Sequence, residues 1–155
     1  MNISVRDIDI ATRTVWGEAR GEDYDGKKAV AHVILNRSSG DLWGDGKPDW
    51  WGETVEQVCL KPRQFSCWNE NDPNRAKMLA LSNIDAYYQE CEHAFLYAAD
   101  EEDFTDGATH YHVAGLHPKW AAGKSPQHEF GHHLFYCDIE PGDRSIHKMY
   151  GPSET

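Results

Sequence analysis

The chain has few of the features that would classify it at once. Its 155 residues include four cysteines, Cys59, Cys67, Cys91 and Cys137, with no C-x-x-C pair. That is too few for a disulfide scaffold, so mostly buried free thiols are expected, although Cys59 and Cys67 could close a short loop around Pro62. Positive charge is also scarce. Fifteen Lys and Arg stand against 26 Asp and Glu, a formal net charge of −11. Nucleic acids and anionic membranes are polyanions that need a basic face, so neither is an expected partner. No apolar run approaches the ~18 residues of a membrane span. The opening MNISVRDIDIATRT has no basic stretch followed by an apolar one, so no standard secretory leader is expected. Repeats, low-complexity tracts and linkers are missing as well. What is there is a globular composition with abundant Trp, Tyr and His, long enough to bury a core without metal or disulfide staples.

Periodicity places the elements. Ser4 or Asp7 can cap a helix running to about Gly17, with Ile8, Ala11 and Val15 on one face. A second helix is predicted from Tyr24 to Arg37, ended by the SSG that follows. Residues 38–53 read as a loop rich in Gly and Trp. A short helix over 54–60, capped by Thr54, stops at Pro62; DPN at 72–74 opens another, and 85–99 carries a stripe of Tyr88, Cys91, Phe95 and Ala98. Past Gly107 the pattern turns β-rich. ATHYHV and HHLFYCDI predict a strand pair with a long connection. The expected fold is α+β and mostly helical, one domain over 1–140 with a β-hairpin element near the C-terminus and a polar tail over 141–155.

Three groups of residues could carry chemistry. Glu18, in TVWGEARGE, follows the apolar face of the first helix and stands two residues from Trp16. An indole neighbour strips water from a carboxyl and favours the protonated form that a general acid needs. Its flanking glycines would let a bulky polymer approach the backbone. The second group is aromatic: RQFSCWN at 63–69, DWW at 49–51, and HYH with Trp120 offer flat apolar faces beside amides, hydroxyls and imidazoles. Sugar rings are bound by such surfaces. The third is HEFGH at 128–132, which matches the zinc-protease string H-E-x-x-H. Gly131 and the β-rich HLFYC make a poor helix around it. His147 and Glu154 are third-ligand candidates only by elimination, so no metal is expected.

Taken together, TVWGEARGE, AVAHVILNR, RQFSCWN, ATHYH and GHHLFY resemble the SleB-type cell wall hydrolase family, named for the spore-cortex lytic enzyme. The likeness spans about residues 10–137. It implies a small lysozyme-like domain that cleaves the glycan strands of peptidoglycan, with Glu18 on the family's catalytic glutamate. In that pattern the region of HEFGH becomes G-x-H-x-F-Y, here Gly131, His133, Phe135 and Tyr136, and His128 and Glu129 fall outside it.

The resemblance yields concrete expectations. Glu18 would protonate the glycosidic oxygen between N-acetylmuramic acid and N-acetylglucosamine as an oxocarbenium-like transition state develops. A lytic transglycosylase needs no second carboxylate, because the muramyl 6-hydroxyl attacks and leaves a 1,6-anhydro ring. Plain muramidase action is the close alternative, with Glu22 the nearest second carboxylate, and a zinc peptidase or amidase built on HEFGH the remote one. Gln64, Ser66 and Tyr111 would supply hydrogen bonds to the N-acetyl groups and the developing charge. Phe65, Trp68 and Trp120 would line the groove, and His112 and His133 would orient the Tyr and Glu side chains. No cofactor is called for, and a monomer is expected. A catalytic domain without an export signal resembles a phage endolysin, made in the cytoplasm and acting on the wall after release. A non-catalytic glycan-binding module would instead keep its binding when Glu18 is lost.

Overall fold

The computed structural model describes residues 2–39 and 51–139. Most of the expected loop over 38–53, with Trp50, and the tail over 141–155, with His147 and Glu154, lie outside the described residues.

Among the described residues five helices follow one another: α1 (Val5–Ala19), α2 (Tyr24–Ser39), α3 (Val55–Leu60), α4 (Arg75–Ala80) and α5 (Ala86–Asp100). Local chemistry sets their starts. The Ser4 hydroxyl accepts from Asp7 N–H while the Asp7 carboxylate accepts from Ser4 N–H, a reciprocal cap for α1. Thr54 and Asp85 cap α3 and α5 with side-chain oxygens on Gln57 N–H and Tyr87 N–H. α1 continues two residues beyond its expected end, so Glu18 belongs to the last helical turn instead of lying past it.

α2 is the central helix. Ala29, Val30, Ala31, Val33 and Ile34 are all fully buried, because α1 packs on it from one side and α5 from another. Each large aliphatic side chain so enclosed contributes about 1.5–3 kcal/mol. The predicted α5 stripe is the buried one, with Tyr88, Cys91, Phe95 and Ala98 facing inward. All four cysteines are free thiols, three of them buried.

A three-stranded antiparallel sheet closes one side. It comprises β1 (His110–Val113), β2 (His128–Phe130) and β3 (His133–Tyr136) in the order β1-β3-β2. The expected strand pair is β1 with β3. β2 is the additional strand, and it is built from HEF of the zinc-like string. Register pairs Tyr111 with Phe135 and Val113 with His133, so these four share one face; His110, His112, Leu134 and Tyr136 share the other. The first face meets the helices, where Tyr111 and Phe135 are fully buried.

Candidate active site

Gly17 explains how the site forms. A Cβ at this position would lie 2.5 Å from Cys67 Cβ and 2.8 Å from its Sγ. The missing side chain lets the short 3-10 turn Ser66–Trp68 sit directly on the end of α1. The glycine therefore makes room for the Cys67 and Met78 side chains. From that turn, Cys67 N–H donates to Glu18 Oε2 at 3.2 Å. From the sheet, Tyr111 Oη donates to Glu18 Oε1 at 2.5 Å. Both carboxylate oxygens are thus oriented by groups on separate elements.

Glu18 opens onto a cavity of about 420 Å³ whose wall also includes Gly17, Arg20, Glu22, Ser66, Asp72, Asn74, Val113 and His133. Trp16 takes no part in that wall. It sits two residues away, on the other side of the helix, and carries the Arg20 guanidinium 4.7 Å from its ring centroid.

The expected site residues divide. Ser66 and His133 line the cavity, and Tyr111 reaches it by holding Glu18. Trp68 is half-buried beside them, its Nε1 donating to the Thr14 hydroxyl at 2.8 Å. Four others do not line this cavity. Gln64 is buried, and its Nε2 donates to the carbonyls of Trp51 and Val58 at 3.0 and 2.9 Å. Phe65 belongs to the core, its ring under the Arg37 guanidinium at 4.9 Å. His112 is on the far face of the sheet, bonded through Nε2 to Tyr136 Oη at 2.8 Å. Trp120 packs on that face against His110 and Tyr136. Strand alternation is the reason for His112: Tyr111 faces the helices, so its neighbour cannot.

The structure adds Asp72 and Arg37, which pattern reading passed over, and places Glu22. Asp72 is in the wall, its Oδ1 accepting from Asn74 N–H at 2.8 Å. Glu22 meets the β2–β3 turn. Arg37 is completely buried behind the site, with Nε donating to Thr109 C=O at 2.7 Å, which ties α2 to the start of β1. Burial pulls its guanidinium down to about 9, while the charges of Tyr111, Glu18 and Cys59 pull the other way. It remains a cation at neutral pH. Burial likewise holds the His133 imidazole below its ordinary value, against the opposing pull of Glu22 and Glu18. The Cys67 thiol is pushed far upward, by burial first and then by Glu18, which makes it an inert packing group.

The HEFGH string forms a hairpin, not a helix. His128 bonds Asp106 through Nε2 at 2.8 Å, and His132 lies against Glu22 at the opposite end of the turn. The two imidazoles do not share the helical face that the zinc chemistry requires. Among the described residues no group of three or more His, Cys, Asp or Glu is placed to hold a metal ion. Nor is any helix of the described residues long and apolar enough to cross a membrane.

The model of the cell wall hydrolase family matches residues 21–136, three quarters of the chain. The chain belongs to that family. Within this cell wall hydrolase, the match begins three residues after Glu18. The spore cortex-lytic enzyme of Oceanobacillus iheyensis is 40% identical over 87 residues, 52% of this chain and 29% of that protein. The chain therefore spans less than a third of that curated relative. Two solved structures are similar over nearly the whole chain. The catalytic domain of the Bacillus cereus SleB protein has a TM-score of 0.66 and 29% identity, covering 88% of this chain and 93% of that one. The catalytic domain of the germination-specific lytic transglycosylase SleB from Bacillus anthracis has a TM-score of 0.66 and 28% identity, covering 88% and 98%. The α+β architecture expected from the sequence is the one these domains share.

Proposed function

We propose that this chain is a peptidoglycan glycosidase, most simply a lytic transglycosylase, with Glu18 as its general acid and base. Family membership and the likeness to SleB catalytic domains support the substrate class. The observation that carries the assignment is the position of Glu18 in the cavity, with both oxygens steered by fixed donors. A proton donor must be held in a defined direction to reach one glycosidic oxygen. The N-acetylmuramyl C1–O bond to N-acetylglucosamine breaks as Glu18 gives up its proton. The muramyl 6-hydroxyl then attacks C1, and Glu18, now a carboxylate, takes the proton from it. The product is a 1,6-anhydro ring, and no water is consumed. Ser66 and His133 stand on the wall to contact sugar hydroxyl or N-acetyl groups. Acting as a monomer and without a cofactor, the enzyme would serve lysis or wall remodelling after release from the cytoplasm, in the manner of an endolysin.

Hydrolysis is the second reading, and Asp72 is the observation that favours it, as a further carboxylate on the same wall. A water-activating base is what an inverting hydrolase needs.

Mass spectrometry of the fragments released from purified peptidoglycan tests both. The expected result is 1,6-anhydromuramyl ends from the wild type, with rates in Glu18→Gln about 10²–10⁴-fold lower. Reducing ends that diminish in Asp72→Asn would establish the muramidase. Cleaved peptide stems, lost with chelator and kept in Glu18→Gln, would overturn the glycosidase reading.

A further inference from the structure

Glu22 stands four residues after Glu18 on the same cavity wall, which invites pairing the two as acid and base. Its contacts give it a different task. The side chain is only 7% exposed, and both oxygens lie 3.2 Å from the His132 backbone N–H, which donates to them. His132 Nδ1 is 3.2 Å from Oε2 and His133 Nδ1 is 3.5 Å from Oε1. The His132 ring is 80% exposed and adds little; the backbone N–H is the contact that fixes the chain. Gly131 confirms the fit. It has φ +60, and a Cβ there would lie 2.0 Å from Glu22 Oε2. Glu22 is itself anchored, its N–H donating to Ala19 C=O at 2.9 Å and its C=O accepting from Lys27 Nζ at 2.6 Å.

From this turn the contacts lead back to the acid. His133 follows directly as the first residue of β3, opposite Val113 of β1. Its ring meets the Tyr111 ring edge-on, with centroids 5.0 Å apart. Tyr111 Oη donates to Glu18. We propose that Glu22 is a positioning residue: it clamps the Gly131–His132 turn and so sets His133 against Tyr111, the donor that orients Glu18. The acid then stands in the last turn of α1, and the clamp for the acid's partner stands three residues past the helix end. This inference rests on Glu18 being the acid.

The test measures initial rates on purified peptidoglycan and amide hydrogen exchange at His132 for Glu22→Ala, Glu22→Gln and Gly131→Ala, with Glu18→Gln as control. In Glu22→Ala the His132 amide should lose protection and kcat should fall about ten- to a hundredfold, with KM within about twofold. Glu22→Gln keeps an acceptor oxygen; it should retain the protection and a kcat within about threefold of wild type. Gly131→Ala, whose methyl group displaces the carboxylate, should behave as Glu22→Ala does.

Two results would overturn the proposal. Glu22→Gln as inactive as Glu22→Ala, with His132 still protected, would make the carboxylate a proton-transfer group. Lost protection with unaltered kcat would leave a clamp that positions nothing. Activity surviving in Glu18→Gln would instead overturn the acid assignment, and the exchange data would still decide whether the clamp exists.

Discussion

Tyr111→Phe isolates one hydrogen bond. The Tyr111 ring is fully buried, with His133 and Phe135 at centroid distances of 5.0 and 5.4 Å, and phenylalanine keeps those contacts. Only the hydroxyl that donates to Glu18 Oε1 is lost. On the proposed mechanism Glu18 is a neutral acid before bond cleavage and a carboxylate as the bond breaks. A hydrogen bond to a neutral acceptor contributes about 0.5–1.5 kcal/mol, and one to a charged acceptor about 1.5–3 kcal/mol. The difference, about 1–1.5 kcal/mol, is what the transition state loses beyond the ground state, and at ~1.4 kcal/mol per decade it predicts a kcat lower by about five- to twelvefold. KM should stay close to wild type, since the hydroxyl is spent on Glu18. The melting temperature should drop by no more than about 2–4 °C, because the exposed part of the carboxylate can take water in exchange. Initial rates of fragment release against substrate concentration, beside a thermal melt, supply all three quantities. A kcat within twofold of wild type would mean that the bond does not act on the reacting state. A fall beyond about a thousandfold with the melt unmoved would make Tyr111 a proton-transfer group in its own right.

The other predictions separate structural residues from substrate contacts. Gln64→Leu strands the Trp51 and Val58 carbonyls. It should cost about 1–3 kcal/mol for each in a denaturant titration while leaving KM alone, and a raised KM with normal stability would return Gln64 to the substrate site. Gly17→Ala forces a methyl group against Cys67 and should destabilise the fold by about 1–3 kcal/mol, with lower activity because the turn holding Glu18 must retreat. Asp103 sets a pH dependence. Burial raises its carboxyl, but hydrogen bonds from the Thr105 hydroxyl, the Asn36 amide and the Thr105 and Gly107 N–H groups outweigh that, leaving it below the ordinary 3.8. A depressed carboxyl adds stability that is complete above its unfolded value and is lost as pH falls through the folded one. Melts between pH 2 and pH 5 should therefore steepen below about pH 4 in wild type and flatten in Asp103→Asn.

Much of the fold was legible because its determinants are local. Ser4 with Asp7, Thr54 and Asp85 announce helix starts within four residues, and the Tyr88 to Ala98 stripe needs only a period of 3.6. Glu18 was legible through the blocks around it. The division of the aromatic segments was not. Gln64 is polar yet internal, because the carbonyls of Trp51 and Val58, thirteen and six residues before it, need a donor, and no hydrophobic periodicity shows that. A signal did exist for His112: it adjoins Tyr111 on a strand, and period-two alternation forbids both from facing the same cleft. The third strand was hidden by a string that matched a metal motif. Asp72 and Arg37 became functional candidates only through packing that joins distant parts of the chain.

The separation of Glu18 from its two donors has a consequence for when the enzyme becomes active. Cys67 lies 49 residues downstream and Tyr111 lies 93. At roughly 5–20 residues per second, a ribosome delivers Tyr111 about 5–20 s after Glu18. Through that interval the nascent chain has Glu18 but not the strand that orients it. A product cut short before β1 would carry Glu18 without the Tyr111 hydroxyl that orients it. On the proposed mechanism an aimed acid therefore exists only once the last third of the chain has been made.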